Sequence, residues 1–463
     1  MTSITFGRFL PCSAILMLHM PAALPQDWAE FRGANRSGTS TATGLPVHFD
    51  PRTNVAWTAD VPMGRSSPIV KGNRLFFTAA DRGSLMLFAY DVRTGKRLWR
   101  FSIERSRRNE IDDLRNDPAS PTPATDGEAV YVFFHDFGLL AVSLDGKELW
   151  KLALGPFPNN YGMASSPIVH GETVFLQCDQ LLGSFIVAAD KRTGKVRWRT
   201  SRPSVLEGWT TPLVLPETGE LVALSSNGVE TFDVETGKAR WLLPANNGIM
   251  IPMPITDGKR LFATIRGSDE PVFPTWVETV KELDADKDGK LSPEEISKRY
   301  NIGSFGIADT NRDGYIVEEE WNRFRNRGVG EFGITAIRLK DKTVMWRYKR
   351  SLPYVPSPVL YQDVLYSVRS GGIVTAIDAE TGRLLKEGRV QDAPGDYFAS
   401  PVAADGMIYL ASFEGKVSVL KAAREWEILA VKDLGDNISA SPTIADGAIL
   451  IRTHSRLYCF RQR

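Results

Sequence analysis

Sulfur and imidazole are scarce in this chain. Of 463 residues three are cysteine and five are histidine. So few thiols, at Cys12, Cys178 and Cys459, rule out a disulfide framework. His19, His48, His135, His170 and His454 show no HExxH or other paired metal spacing. A GxSxG nucleophile turn and a phosphate-cradling P-loop are also missing. Formal net charge is only +1, so there is no electrostatic case for nucleic acid or for an anionic membrane. Beyond residue 26 no apolar run approaches the roughly 20 residues a membrane span needs. Residues 1–26 differ: Arg8 precedes the apolar stretch Phe9–Leu24, broken by Pro11 and Pro21. That pattern reads as a secretory signal peptide cleaved between Ala22 and Gln26, so the protein is expected to be exported, periplasmic or extracellular, with no transmembrane anchor. Cys12 leaves with that segment, and Cys178 and Cys459 fall in different repeats, too far apart to bridge.

What the chain has in plenty is a repeated turn. DKRTGKVRW at Asp190–Trp198 recurs as DVRTGKRLW at Asp91–Trp99 and DVETGKARW at Asp233–Trp241. A fourth copy from Asp378 puts Lys386 in the tryptophan's place, and looser copies stand at Gly146–Trp150 and Lys342–Trp346. Asp and Thr side chains can bond the turn backbone, and Gly takes the positive φ that closes a hairpin. A second marker is a small residue and proline at the head of a short apolar strand: Ser67-Pro68, Ser120-Pro121, Ser166-Pro167, Thr211-Pro212, Met253-Pro254, Ser357-Pro358, Ser400-Pro401 and Ser441-Pro442. A period of about 40–45 residues with four strands per unit marks an all-β, eight-bladed β-propeller. The last unit, Ser441 to about Phe460, lacks one strand, and the orphan strand 54–57 is expected to supply it and close the ring.

Between Met253-Pro254 and Ser357-Pro358 the spacing is too long by about 60 residues for that period. The excess falls between the second and third strands of blade five. It contains DADKDGKLSPEE from Asp284 and DTNRDGYIVEEE from Asp309. Both fit the twelve-residue loop that wraps oxygens around a hard cation. The first offers Asp284, Asp286 and Asp288, the Lys290 carbonyl and Glu295. The second offers Asp309, Asn311 and Asp313, the Tyr315 carbonyl and Glu320. Gly289 and Gly314 sit at the sharp turns. Trp276, Val277, Val280 and Leu283 recur at helical spacing ahead of the first loop, and Leu291 and Ile316 can pair the two loops. The segment is a small α-helical EF-hand pair. The chain thus divides into a signal peptide (1–26), leader and blades one to five (27–266), the Ca²⁺-binding insert (267–330) and the remaining blades (331–463). With four carboxylates against three, the first loop is expected to hold Ca²⁺ more tightly.

The TG turns with their terminal tryptophans resemble the repeats of the PQQ-dependent alcohol dehydrogenase superfamily. The WxxFRG leader at Trp28–Gly33, followed by Ser66-Ser67-Pro68, resembles exported bacterial PQQ-like propeller proteins, some labelled by similarity to BamB. The dehydrogenase resemblance implies PQQ, a channel Ca²⁺ held by carboxylate and amide groups, a catalytic aspartate and, in many members, two adjacent cysteines. No adjacent cysteines occur here, and no position matches that aspartate or those ligands. The BamB resemblance implies a scaffold on the periplasmic side of the outer membrane.

In a propeller the loops ahead of each Ser-Pro marker ring one mouth of the central channel. They carry Arg65, Asn160, Tyr161, Glu207, Trp209, Asn247, Met250, Tyr354, Asp396, Tyr397, Asp436 and Asn437. From these, Arg65, Tyr161, Trp209, Tyr354, Tyr397 and Asn437 form the candidate ligand site. The loop holding the insert opens on the same face, so the insert is expected to overhang the mouth. The sequence therefore points to a calcium-binding propeller that presents a surface to a small ligand or a cell-envelope protein. The alternative is a PQQ-dependent dehydrogenase working in the channel.

Overall fold

The computed structural model describes residues 27–462 except 106–115, 156, 160, 246, 247, 249 and 301. The export segment expected at residues 1–26, Asn160 and Asn247 lie outside the described residues. Eight four-stranded antiparallel sheets are arranged as an eight-bladed propeller. The second and third strands of a blade are covered on both faces by neighbouring blades, and they read as continuous apolar runs, as in AVYVFF at Ala129–Phe134 and FIVAAD at Phe185–Asp190. Outer strands alternate, as in ARWLLP at Ala239–Pro244, because one face meets solvent. A separate apolar core lies between blades one and two, two and three, and so on round the ring. The last core joins blades seven, eight and one.

The TG repeat is a joint between blades as well as a turn. At Asp190 the carboxylate accepts the Thr193 amide at 3.0 Å and its hydroxyl at 2.9 Å, while Gly194 takes φ 71°. Trp198, at the end of that motif, reaches the next blade. Its indole N–H donates to Val234 O at 2.9 Å. A Cβ on Gly237 would lie 2.5 Å from its ring. The turn glycine is thus required twice, for its backbone conformation and as the seat for the preceding blade's tryptophan. The same clasp joins Trp99 to Gly146, Trp150 to Gly194 and Trp346 to Gly382. Where the motif departs, so does the joint. Lys386 donates to Trp426 O at 2.6 Å, so the tryptophan comes from the next blade.

Ring closure uses the same clasp. Val55–Asp60 pairs with Arg456–Phe460 as the fourth strand of blade eight, and Trp57 docks on Gly95 of blade one with its N–H on Val92 O at 2.9 Å. The strand runs on to Asp60, further than expected from Asn54–Trp57, because Thr58 and Asp60 lie on its exposed face and read as a loop in the sequence. In blade two the innermost strand Ala124–Thr125 follows Thr122-Pro123, two residues beyond the expected Ser120-Pro121 marker.

The insert leaves blade five after Arg260–Ile265 and returns at Gly333–Arg338. Its stalk is pinned by Ser268 N–H to Gly328 O at 2.8 Å and Gly330 N–H to Ser268 O at 3.0 Å. It holds helices α1 (Trp276–Leu283), α2 (Pro293–Ser297), α3 (Ile302–Ala308) and α4 (Glu318–Arg325). Leu291 and Ile316 pair as a single antiparallel bridge between the loops. The insert has its own core of Leu283, Leu291, Ile296, Ile316 and Trp321. Val277 does not join that face as its spacing suggested: it is 73% exposed, and Thr279 is buried instead. Among the described residues no helix is long and apolar enough to cross a membrane.

Candidate functional site

The residues ahead of the innermost prolines build a belt round the channel. Ser67 N–H donates to Thr122 Oγ1 at 3.0 Å, Thr122 N–H to Ser166 Oγ at 3.0 Å and Ser166 N–H to Thr211 Oγ1 at 2.9 Å. Past blade five the chain of bonds resumes: Met253 N–H to Ser357 Oγ, Ser357 N–H to Ser400 Oγ, Ser400 N–H to Ser441 Oγ and Ser441 N–H back to Ser67 Oγ, all at 2.9–3.0 Å. One position breaks it, since Met253 has no hydroxyl to offer Thr211. All eight side chains line a cavity of about 400 Å³.

The leader closes the far end. Trp28 pairs with Val70 through two backbone bonds of 2.8 Å, and Ala29 O accepts the Thr125 amide at 2.8 Å. Across the ring, the buried Arg32 guanidinium donates to Ser357 O at 3.2 Å and Pro358 O at 2.6 Å, and Ser40 N–H reaches Ala403 O at 2.9 Å. The segment therefore spans from blades one and two to blades six and seven, and Phe31 becomes part of the cavity floor. Gly33, at φ 68°, is needed because a Cβ there would fall 2.4 Å from the Trp28 ring. Burial pushes Arg32 down to about 9, since only neutral carbonyls meet its charge. The channel is a cup, open at the loop face.

Arg65, Tyr161, Trp209 and Tyr354 stand on the cup's wall. Trp209 donates to Gly162 O at 2.9 Å and meets Tyr161 edge-on with centroids 5.8 Å apart. Arg65 donates to Ser439 Oγ at 3.2 Å and lies 3.7 Å from Asp117, whose carboxyl is raised by burial. Tyr354 packs under the Arg266 guanidinium at 4.4 Å. Two residues of the candidate set are placed elsewhere. Asp396 and Phe398 line the cavity, so in extended chain Tyr397 between them points away; it is buried, with its hydroxyl on Ala393 O at 3.0 Å. Asn437 is exposed off the wall, its carbonyl taking the His454 amide at 2.8 Å. Of the other loop residues, Met250 is core, Glu207 is buried beside Arg327, and Asp436 bonds Thr453 and Ser455 in its own blade. Asn116, Ser439 and Phe31 line the cup without having been singled out. The WxxFRG motif was the available signal for Phe31.

His135 is buried, accepts the Met163 amide on Nδ1 at 3.1 Å, and is pushed down to about 4 by that burial. Cys178 and Cys459 are buried and free, in blades three and eight.

The insert carries the metal-type geometry. Carboxylate oxygens of Asp284, Asp286 and Glu295 lie within 4.8 Å of one another. Lys287 and Gly289 take φ 63° and 78°, which curls the loop round that point. Glu295 is fixed by the Ala285 amide at 2.7 Å and the Ser292 amide at 2.9 Å. Asp288 is exposed and accepts the Lys290 amide at 2.8 Å. In the second loop Asn311 Oδ1 accepts the Asp313 amide at 2.9 Å, Asp313 accepts the Tyr315 amide at 3.0 Å, and Glu320 accepts the Thr310 amide at 2.9 Å. Asp309 is 6% exposed and its Oδ2 takes the Gly314 amide at 3.1 Å, but its buried Oδ1 has no partner. A buried carboxylate oxygen without a donor is costly, and a cation at position one of the loop removes that cost. Among the described residues only the first loop brings three carboxylates to one point; the second shows the turn bonds and the unpartnered oxygen of Asp309.

The insert contributes no described residue to the cup's wall: none of the cavity-lining residues comes from 267–330. Asp309, Glu320 and Arg323 instead face Leu182, Pro203 and Leu206 of the blade-three loops across a cleft of about 280 Å³. Near the stalk Arg327 is lowered by burial, partly offset by the charge of Glu207.

A family described as outer membrane protein assembly factor BamB matches residues 36–176 and 311–463, more than half of the chain, and an EF-hand family matches residues 278–298. A polyvinylalcohol dehydrogenase of Pseudomonas sp is 23% identical over 93% of this chain and 73% of its own length. BamB of Burkholderia pseudomallei is 24% identical over 49% of this chain and 55% of its own. A europium-containing methanol dehydrogenase of known structure superposes with a TM-score of 0.62 at 12% identity, covering 94% of this chain and 98% of that one, a likeness of fold.

Proposed function

This chain belongs to the PQQ-like propeller family described by outer membrane protein assembly factor BamB, and from that premise we propose a calcium-binding, exported propeller whose floored cup receives a small ligand or a protruding group of a cell-envelope protein. The observation that carries the reading is the cup itself: an aromatic and hydroxyl wall with one end closed by the leader, and a single carboxylate, Asp396, among its described lining residues. Aromatic surface with a few fixed polar groups suits binding. Ca²⁺ belongs in this reading to the insert, held in the first loop by Asp284, Asp286, Asp288, the Lys290 carbonyl and Glu295. In the second loop Asp309, Asn311, Asp313, the Tyr315 carbonyl and Glu320 hold it. The ion supplies the positive charge that draws these oxygens together. Export rests on the signal-type segment at residues 1–26.

The second reading, a PQQ-dependent dehydrogenase, is favoured by the Pseudomonas relative's name and its coverage of 93% of this chain. Among the described residues the wall offers little to support it: a channel Ca²⁺ needs convergent carboxylate and amide oxygens, whereas the described lining carboxylate, Asp396, and the described lining amide, Asn116, stand three blades apart. Adding PQQ and Ca²⁺ to the purified protein, then following quinone absorbance and dye reduction with simple alcohols and polyvinyl alcohol, separates the two. The binding reading expects no alcohol-dependent dye reduction. Stoichiometric PQQ uptake with turnover would replace it.

A further inference from the structure

We infer that the hydroxyl belt at the neck of the cup binds a compact oxyanion, the carboxylate or phosphate end of a ligand. This deepens the binding-cup reading and rests on it. Each of the seven belt oxygens accepts an amide N–H from the blade before it. What each hydroxyl has left to give is its own proton, and none of the seven has an acceptor among the described residues. Two neighbouring hydroxyls in the same motif do: Ser66 Oγ donates to Thr78 O at 3.1 Å, and Thr210 Oγ1 to Leu224 O at 3.0 Å. Ser165 Oγ, at the same step of its motif, has no partner; what sets the seven belt hydroxyls apart is that they line the cavity, where a ligand can meet them. All seven are at most 5% exposed.

The result is a ring of convergent donors in a narrow, partly apolar space. Each amide polarises the hydroxyl it donates to, which makes that hydroxyl a better donor in turn. Donors of this kind interact most strongly with an ionised acceptor. Arg65 on the same wall adds a positive charge, moderated by Asp117 at 3.7 Å. A neutral polyol would use the belt's remaining lone pairs as well as its protons, but it carries no charge to draw seven polarised donors together. An oxyanion brings lone pairs alone. Met253 leaves one gap in the ring, so the site is built for an off-axis group.

The test is calorimetric titration of the full Ca²⁺-loaded protein with inorganic phosphate, acetate and glucose. The anions separate a phosphate from a carboxylate preference, and glucose controls for polyol binding. Thr122→Val keeps side-chain shape and deletes one donor; it is expected to weaken the preferred anion about tenfold. Because Thr122→Val also strips the Ser67 amide of its acceptor, Met253→Ser provides the opposite change: it completes the ring and is expected to tighten the same anion. Glucose binding without anion binding would keep the cup as a binding site and overturn the oxyanion assignment. Silence with both anions, or indifference to Met253→Ser, also overturns it. PQQ-dependent turnover would count against the cup reading itself, whatever the anions do.

Discussion

In the ring, the clasp tryptophans and the belt amides find their partners on the neighbouring blade; in the insert, a buried carboxylate oxygen of a cation-type loop finds no donor. The Ser441 amide meets Ser67 Oγ at 3.0 Å across 374 residues of chain, and Trp57 closes blade eight onto Gly95 of blade one. Asp309 Oδ1, behind α3, is left without a donor. The ring's clasps and belt amides are satisfied by protein groups of the neighbouring blade. The insert has a small core, and in the proposed reading an ion in its loops adds to its stability. The expected consequence is a ring that holds its shape without an ion beside a module that does so better with one.

The strongest way to break this contrast is to damage the ring's own joints. Trp198→Ala removes a buried indole, its bond to Val234 O and the packing on Gly237, and is expected to cost about 3–5 kcal/mol. Trp241 sits at the exception: its neighbour is Lys342, 5.9 Å from the ring, with no turn glycine beneath it. Trp241→Ala should therefore cost clearly less. Urea midpoints of the two variants make the comparison, and equal losses would show that the glycine seat contributes nothing.

Chelation attacks the other side. Removing Ca²⁺ is expected to open residues 267–330 to protease while the ring's unfolding midpoint stays put; ion present at a hundredfold over its dissociation constant stabilises the module by about 2.7 kcal/mol. Unchanged cleavage would separate the module's order from the ion. Single substitutions sharpen this. Asp284→Ala is expected to cost more Ca²⁺ affinity by calorimetry than Asp309→Ala, since the first loop has more carboxylates. Asp309→Ala should also make the ion-free insert harder to digest, because it deletes an unpartnered buried oxygen. A more fragile ion-free Asp309→Ala protein would assign that oxygen a donor instead.

The ring was readable because its joints recur in the sequence. Turn glycine, terminal tryptophan and small-residue-proline head mark most blades, and departures at Lys386 and Met253 mark real breaks in the clasp and the belt. The cup was readable only in part. Arg65, Tyr161, Trp209 and Tyr354 reach its wall, but at Asp396–Phe398 a shift of one residue decides which side chain faces inward, and loop composition does not carry that register. The leader's passage across the channel depends on contacts such as Arg32 to Pro401 O, 369 residues apart, for which no local pattern exists. The belt prolines were legible as strand heads. That the hydroxyls beside them lack acceptors is a property of the closed ring.

The smallest expected effect concerns acid. In the turns, Asp190 is held below the usual carboxylate range by Arg197 and then Thr193, and Asp378 is lowered to about 2 by Arg424, with Thr381 assisting. A carboxyl whose folded pKa is depressed contributes stability that is present above its unfolded value near 4 and is lost as pH falls through the folded one. The turns are solvent-exposed, so each contribution is modest. Between pH 5 and 2 the ring's melting temperature should fall, and Asp378→Asn should flatten part of that decline while lowering the melting temperature slightly at pH 7. The insert behaves differently in the same range, since its carboxylates release Ca²⁺ on protonation: excess Ca²⁺ should restore its protease resistance at pH 5 without moving the ring's melt. If excess Ca²⁺ raised both together, ring and insert would be one cooperative unit and the contrast between them would fail.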